Sequence, residues 1–245
     1  NYLIITYYDN YSSFQNWDSF LDFDGTINMS QITSQGTYSF EITHASQVKG
    51  LVTGSKTKVL KNGTSQYIYS VNYYDEKYRA IQLVSINEFL STKDRTSSLL
   101  NFVGWVLENR TTHQKTGHPE RELRQTYEYD HHGRLLTSDH EIWENDILKV
   151  GPTTLFENTY NDLGELVKKD LHVVNDEALQ SVDYRYNIRG WLTSINNSQS
   201  LSDPTALRDD FFGMNLNYNS PVMAFDLVEH SQNVLPVDDA YVRGG

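Results

Sequence analysis

The chain contains no cysteine, which excludes a disulfide-stapled module, a thiolate-zinc site and a cysteine nucleophile. Positive charge is scarce: Lys and Arg number 20 against 32 Asp and Glu, a formal net charge of -12 over 245 residues. A nucleic-acid surface or an anionic membrane would call for basic patches, so neither partner is expected. Long apolar runs are also missing. Stretches such as Phe102 to Leu107 fall far below the roughly 18 residues of a membrane span, and no membrane insertion is expected. The opening Asn1-Tyr2-Leu3-Ile4-Ile5-Thr6 has neither an initiator Met nor the basic-then-apolar layout of a signal peptide. It reads as the interior of a longer polypeptide, and the missing signal says nothing about secretion.

What the chain does have is tyrosine, 17 of them, with Asn and Thr more numerous still. Tyr and Thr favour strands and Asn favours turns, so the composition leans towards β. Alternation is clearest at Tyr67 to Tyr73, where Tyr67, Tyr69, Val71 and Tyr73 should share one face. Similar short runs are Leu3–Tyr8, Thr57–Leu60, Ala80–Ile86, Gln125–Tyr129, Leu135–Ser138, Leu166–Val174, Ser181–Tyr186, Leu192–Ile195 and Met214–Tyr218. Helix is expected only in pieces, over Ser97 to Asn109. The polar stretch from Ser198 to Asp209 reads as a loop.

The turns between these strands are copies of one another. Tyr129-Asp130-His131-His132-Gly133-Arg134-Leu135 superposes on Tyr160-Asn161-Asp162-Leu163-Gly164-Glu165-Leu166 and on Tyr186-Asn187-Ile188-Arg189-Gly190-Trp191-Leu192. The shared frame is Tyr-(Asp/Asn)-x-x-Gly-x-Leu, with Tyr anchors 31 and then 26 residues apart. Tyr74-Asp75-Glu76-Lys77-Tyr78-Arg79-Ala80 keeps Tyr-Asp and the Arg but has Tyr78 in the Gly position, so its turn is expected to differ. Tyr7-Tyr8-Asp9-Asn10 is a weaker fifth start. In each unit Asp or Asn hydrogen-bonds the backbone ahead and starts the turn. Gly supplies a positive φ, and the next apolar residue begins the return strand. The Tyr is expected to stack on its counterpart in the following unit. Irregular copies at this spacing imply an array of supersecondary units, and stacked hairpins bury a face that one hairpin cannot.

The run Tyr127-Glu128-Tyr129-Asp130-His131-His132-Gly133-Arg134-Leu135-Leu136 resembles the signature of the Rhs/YD-repeat family. Val71 to Asp75 and the run from Ser181 through Tyr184 and Trp191 to Asn196 resemble the variety found in large secreted or surface proteins of bacteria with type IX secretion. Leu51-Val52-Thr53-Gly54 and Phe212-Gly213-Met214 are similar to its flanking phrases. The resemblance covers roughly residues 2 to 219. It implies an all-β array of antiparallel YD-repeat hairpins, part of a spiral shell-like sheet that encloses a C-terminal effector. On this basis residues 1–66 form a β-rich segment before the clear repeats, 67–219 the hairpin array, and 220–245 a stretch of different context. The implied role is structural, with no enzyme activity and no cofactor. The implied partners are the rest of the same polypeptide, an enclosed effector and a secretion translocon, and the implied location is secreted or cell surface. The family's aspartate-based self-cleavage motif is not matched, since Asp203-Pro204 lacks a following Gly.

Rival motifs are weaker. Phe20-Leu21-Asp22-Phe23-Asp24-Gly25-Thr26 is similar to the first motif of haloacid-dehalogenase-like phosphatases, with Asp22 as nucleophile and Asp24 as acid/base, and Asp209-Asp210 as a metal-binding pair. That motif should end a buried parallel strand, yet Gln15 to Ser19 before it is polar. The histidines, among them His113, His118, His131, His132 and His140, have no zinc-ligand spacing. Gly50 to Thr57 lacks phosphate-loop spacing, and the Asn-x-Ser/Thr sites at Asn28, Asn62, Asn109 and Asn196 are expected by chance. Exposed tyrosines and Trp105, Trp143 and Trp191 suggest the alternative of an adhesin-like array binding cell-surface glycans, although aromatics at hairpin positions stack on one another more often.

Overall fold

A computed structural model describes residues 2–14, 16–25, 29–33, 36–40, 43–61, 63, 65–200, 202 and 206–218, the two short runs between 29 and 40 by backbone alone. Asp203-Pro204, Asn28, Asn62 and residues 220–245 lie outside the described residues. Among those described, thirteen strands hydrogen-bond in chain order, and β2 (Met29–Thr33) and β3 (Gly36–Phe40) form a separate hairpin. The chain divides into two compact units, 1–156 and 157–245.

In the first unit β1 (Ile4–Asn10) pairs with β4 (Gln47–Lys58). An antiparallel meander follows through β5 (Tyr67–Tyr74), β6 (Ala80–Asn87), β7 (Thr92–Leu100), β8 (Val106–Lys115), β9 (Arg121–Tyr129) and β10 (Leu135–Glu144) to β11 (Ile147–Tyr160). Register sets two faces. On one, Val71 pairs with Val84, Tyr73 with Gln82, Gln82 with Ser97, and Leu99 with Glu108. On the other, hydroxyls meet across strands, Ser55 with Ser70 (2.8 Å) and Thr96 with Thr111 (3.2 Å), and Ser98 Oγ donates to Asn109 Oδ1 (3.1 Å). Tyr69, Val71 and Tyr73 thus share the more buried face of β5, as their alternation predicts, while Ile68 is exposed.

A strap, residues 11–14 and 16–25, covers the apolar part of the first face. It contains two 3₁₀ turns, Ser12–Phe14 and Ser19–Leu21. Phe14 and Leu21 are buried with Val71, Tyr73, Ile81, Val84, Ile86 and Leu99, and this cluster is the core. Gly54 lies so close beneath Phe14 that a Cβ there would come within 2.6 Å of the ring. The strap is also clamped by polar side chains. Arg95, 8% exposed, donates to the carbonyls of Phe20 (2.6 Å) and Asp22 (3.2 Å), and Gln82 bonds both the N–H (3.0 Å) and the carbonyl (3.2 Å) of Asp24. Buried polar groups of this kind hold a fold only when satisfied, and here each bond satisfies strap backbone that no strand partners.

In the second unit β12 (Leu166–Val174), β13 (Glu177–Tyr186), β14 (Leu192–Ile195) and β15 (Met214–Asn215) continue the antiparallel order. Leu166–Val174 and Leu192–Ile195 coincide with the predicted strands. Gly213 permits a close approach, since a Cβ there would lie 2.7 Å from the carbonyl oxygen of Asn197.

Three expectations are corrected. Ser97 to Asn109 is not helical. It is the end of β7, a turn and the start of β8, because its hydroxyls and amides pair across strands instead of following a helical period. Tyr7 to Asn10 is no turn but runs through β1, which carries irregular register there, with Asp9 Oδ1 accepting the N–H of Gly50 (2.7 Å). The Tyr78 turn does not differ from its relatives, because Tyr78 itself takes up the left-handed conformation at φ 61°.

Candidate functional site

The repeated turns form one motif in fine geometry. In each, the Asp or Asn N–H donates to the carbonyl four residues on, and the fourth turn residue donates back to the Asp or Asn carbonyl. The first bond is 2.9 Å at Asp75, Asp130 and Asn187 and 3.0 Å at Asn161; the second is 2.9, 3.0, 2.9 and 2.9 Å from Tyr78, Gly133, Gly190 and Gly164. The Asx side chain caps the loop from within. Oδ1 of Asp130 accepts from His132 N (2.8 Å) and Arg134 N (2.9 Å), and Asn187 does the same for Arg189 (2.9 Å) and Trp191 (3.1 Å). Asp75 and Asn161 match them. Tyr78 holds the glycine conformation beside φ values of 82°, 85° and 74° for Gly133, Gly164 and Gly190. Its ring is exposed to solvent, so only the backbone term opposes it, about 1–2 kcal/mol.

The structure adds a turn that the repeat frame does not mark. Leu100-Asn101-Phe102-Val103-Gly104-Trp105-Val106 closes with Asn101 N to Trp105 O (2.9 Å) and Gly104 N to Asn101 O (3.1 Å), and Gly104 has φ 105°. It fits Asn-x-x-Gly-x-Val, but Leu100 occupies the Tyr position and hides it.

A β-bulge follows these turns. Register steps from Tyr74↔Ala80 to Tyr73↔Gln82, from Leu100↔Val106 to Leu99↔Glu108, from Tyr129↔Leu135 to Glu128↔Thr137, and from Tyr186↔Leu192 to Arg185↔Ser194. A bulge interrupts the ladder and leaves main-chain groups without strand partners. The repeat tyrosine of the next turn fills the gap: Tyr129 Oη donates to the Val106 carbonyl (3.0 Å), next to bulged Leu107. Tyr186 Oη donates to the equivalent Leu166 carbonyl (2.8 Å), and Tyr74 Oη to Val52 (2.8 Å), beside the irregularity in β4. Burial pushes the phenols of Tyr129 and Tyr186 up, with Tyr127 adding to the first and Glu165 and Tyr184 to the second. At Tyr129 the expected stacking on a counterpart tyrosine is not formed. Tyr129 packs instead on Trp105 of the preceding turn, with ring centres 5.2 Å apart.

The residue after Gly reaches forward to the next turn. Arg79 donates to the Asn101 carbonyl (2.8 Å) and lies 3.6 Å from where a Cβ on Gly104 would be. Trp105 would touch a Cβ on Gly133 at 2.3 Å, and Glu165 one on Gly190 at 3.3 Å. Within a turn the same position answers the Asx. Arg79 pairs with Asp75 and Arg134 with Asp130, each 2.6 Å, whereas Asn161 donates its amide to Glu165 (2.7 Å). Desolvation works against the Asp130 carboxylate, but the N–H and guanidinium of Arg134 and the N–H of His132 outweigh it and hold its pKa down at about 2. Asp75 is lowered by the same contest.

Of the remaining signature residues, Tyr127 pairs in register with buried Ser138 and Tyr184 with Ile195, while Tyr160 ends β11. Trp191 is partly exposed, with Arg189 and Tyr218 against it. Trp143 carries the Arg124 guanidinium 4.2 Å over its ring and donates Nε1 to Glu141 (2.9 Å).

Asp22 and Asp24 stand in the strap over an antiparallel sheet, and the parallel strand that a phosphatase motif requires is not formed there. Asp209 and Asp210 belong to the other unit. Asp24 Oδ2 lies 3.7 Å from Arg95. Among the described residues no group of three or more His, Asp or Glu is placed to hold a metal. His113 faces Asp94 at 2.5 Å, and His131 and His132 are exposed turn tips.

No protein-family model and no curated protein matches the chain. Among solved structures it is similar to the Tc holotoxin pore of Photorhabdus luminescens, with 14% identity and a TM-score of 0.20 over 70% of this chain. The chain spans 13% of that protein's chain, and at this TM-score the likeness carries no argument. The fold class stands on the strands themselves: an open, all-β, antiparallel array of hairpins joined by a repeated turn.

Proposed function

We propose that this chain is a structural segment of a Rhs/YD-repeat shell in a secreted or surface protein of type IX-secreting bacteria, helping to enclose or present an effector carried further along the same polypeptide. The observation that supports this reading is the turn-to-turn linkage within each unit: Arg79 bonds the Asn101 turn, Trp105 packs against Gly133, and Tyr129 and Tyr186 each cap a carbonyl of the preceding hairpin, as a wall of stacked repeats requires. The partners are then the rest of the polypeptide, its effector and a secretion translocon. A glycan-binding array is the rival reading. Sugar stacking needs an open aromatic face, and Arg124 on Trp143 favours the wall.

The test is protease protection in the longer polypeptide. The downstream segment is expected to resist added protease until the wall is unfolded, and a Gly133→Val substitution should expose it. A downstream segment cut equally fast in wild type and variant would refute the shell. Fractionation of the producing cells should place the protein at the surface or in the medium, and a purely cytoplasmic location would refute that part.

A further inference from the structure

Next to the strap, the first face of the sheet changes from apolar to charged. Across β8, β9 and β10 it opens into a groove of about 410 Å³, within the size range of ligand sites. Four carboxylates line it, those of Glu108, Glu128, Asp139 and Glu141, against the guanidiniums of Arg110 and Arg124.

Both cations are already committed. Arg110 Nε donates to Glu108 Oε1 (2.6 Å), and Arg124 pairs with Glu122 while lying over Trp143. The acceptors are not exhausted. Glu108 is 2% exposed, yet its Oε2 has no hydrogen-bond partner. The carboxylate of Glu128 makes no hydrogen bond or ion pair among the described residues. Buried acceptors are ordinarily satisfied, so the groove lacks a donor, and its surplus of negative charge selects a cationic one. A guanidinium supplies five N–H groups in a fork that suits carboxylates, which a point-charge ammonium does not match.

We propose that this groove is a binding site for arginine side chains of a polypeptide held against this face of the sheet. That the polypeptide is the enclosed effector rests on the shell reading; the preference of the groove for a cationic side chain does not.

The test is titration of the 245-residue chain with a fluorescein-labelled peptide alternating Arg and Gly, read by anisotropy and by Trp emission. Binding is expected to weaken with salt and to fall by about tenfold or more in Glu108→Gln. Because Glu108 is buried, Glu128→Gln serves as the second variant, at an exposed position, with circular dichroism confirming the fold of both. Equal binding of a Glu-Gly peptide or of a disaccharide, or unchanged affinity in folded Glu128→Gln and Glu108→Gln, would overturn the assignment. The peptide is added from outside to this chain alone. Its failure to bind is therefore distinct from a loss of protease protection in the longer polypeptide, which concerns the shell.

Discussion

Replacing Gly133 by Ala tests the linkage between turns most directly. Two costs are separable at this position. The backbone holds φ 82°, which disfavours any residue with a Cβ by about 1–2 kcal/mol. The new methyl would also sit 2.3 Å from Trp105 Cζ2 and 2.9 Å from Cε2, so the indole must leave its place against Tyr129. Loss of that aromatic pairing adds about 0.5–1.5 kcal/mol. The expected total is about 1.5–3.5 kcal/mol, or roughly 3–14 °C in Tm for a chain of this size. Gly117 provides the control, since it has φ 80° with nothing within 4 Å of a Cβ, and Gly117→Ala should cost only the backbone term. A double-mutant cycle with Trp105→Ala completes the test. In that background the Gly133→Ala penalty should shrink by about 1 kcal/mol towards the Gly117 value. Thermal and urea unfolding of the four cycle members measures it. Equal losses at Gly133 and Gly117, or a cycle with no coupling, would refute the claim that the residue after Gly buttresses the following turn.

Removing one hydroxyl by Tyr129→Phe or Tyr186→Phe should cost about 1 kcal/mol each in urea unfolding, because the bulge carbonyl of Val106 or Leu166 loses its donor; Tyr78→Phe, at an exposed ring, should change nothing and serves as the control. Tyr78→Gly should stabilise the protein by about 0.5–1 kcal/mol, the relief of a left-handed Tyr less the entropy of a freer unfolded chain, and a lower Tm would refute the shared turn geometry. The Asp130 pKa is about 2 when folded against an ordinary value of 3.8. Its ionised form therefore stabilises the fold above about pH 4, and this contribution is lost as the pH falls towards 2. Asp130→Asn keeps the loop-capping oxygen but not the charge, so the stability gap between wild type and variant should narrow across that window, and a gap constant with pH would refute the ion-pair account.

Local features were legible wherever one residue type carries a conformation by itself. The turns at 130–134, 161–165 and 187–191 showed in the Asx and Gly positions, and strands Leu166–Val174 and Leu192–Ile195 were bounded by them. Features carried by partners were not. The turn at Asn101 keeps its Asn and Gly, but Leu100 replaces the Tyr that marked the others. The polar alternation of Thr92–Leu100, with Ser and Thr facing hydroxyls across the sheet, lacks the apolar period that signals a strand. The Asn145-Asp146 and Asn175-Asp176 pairs, all at positive φ, make two-residue hairpin turns that the Tyr-led repeat frame does not mark. The strap was invisible for a different reason: Arg95 and Gln82 reach it across 58 to 75 residues, and no local pattern predicts that pairing.

The structure also explains why tyrosine, and not merely an aromatic, stands at the head of the repeat. A five-residue loop followed by a bulge gives the hairpin its turn but leaves a carbonyl without a strand partner. Phe could fill the space beside Trp105, and Ser could donate a proton, but neither does both. Tyr spans the distance with a rigid ring and ends in a donor, while ordering few side-chain torsions. Asx choice follows the same logic one step later: Asp appears where Arg79 or Arg134 answers it, and Asn where Glu165 does. Within each unit a turn is thus matched first to itself and then, through a Tyr such as Tyr129 or Tyr186 and through Arg79, Trp105 or Glu165, to its neighbour. A repeat built this way tolerates Tyr78 or Leu100 at single positions, because every neighbouring turn still closes on its own Asx bonds.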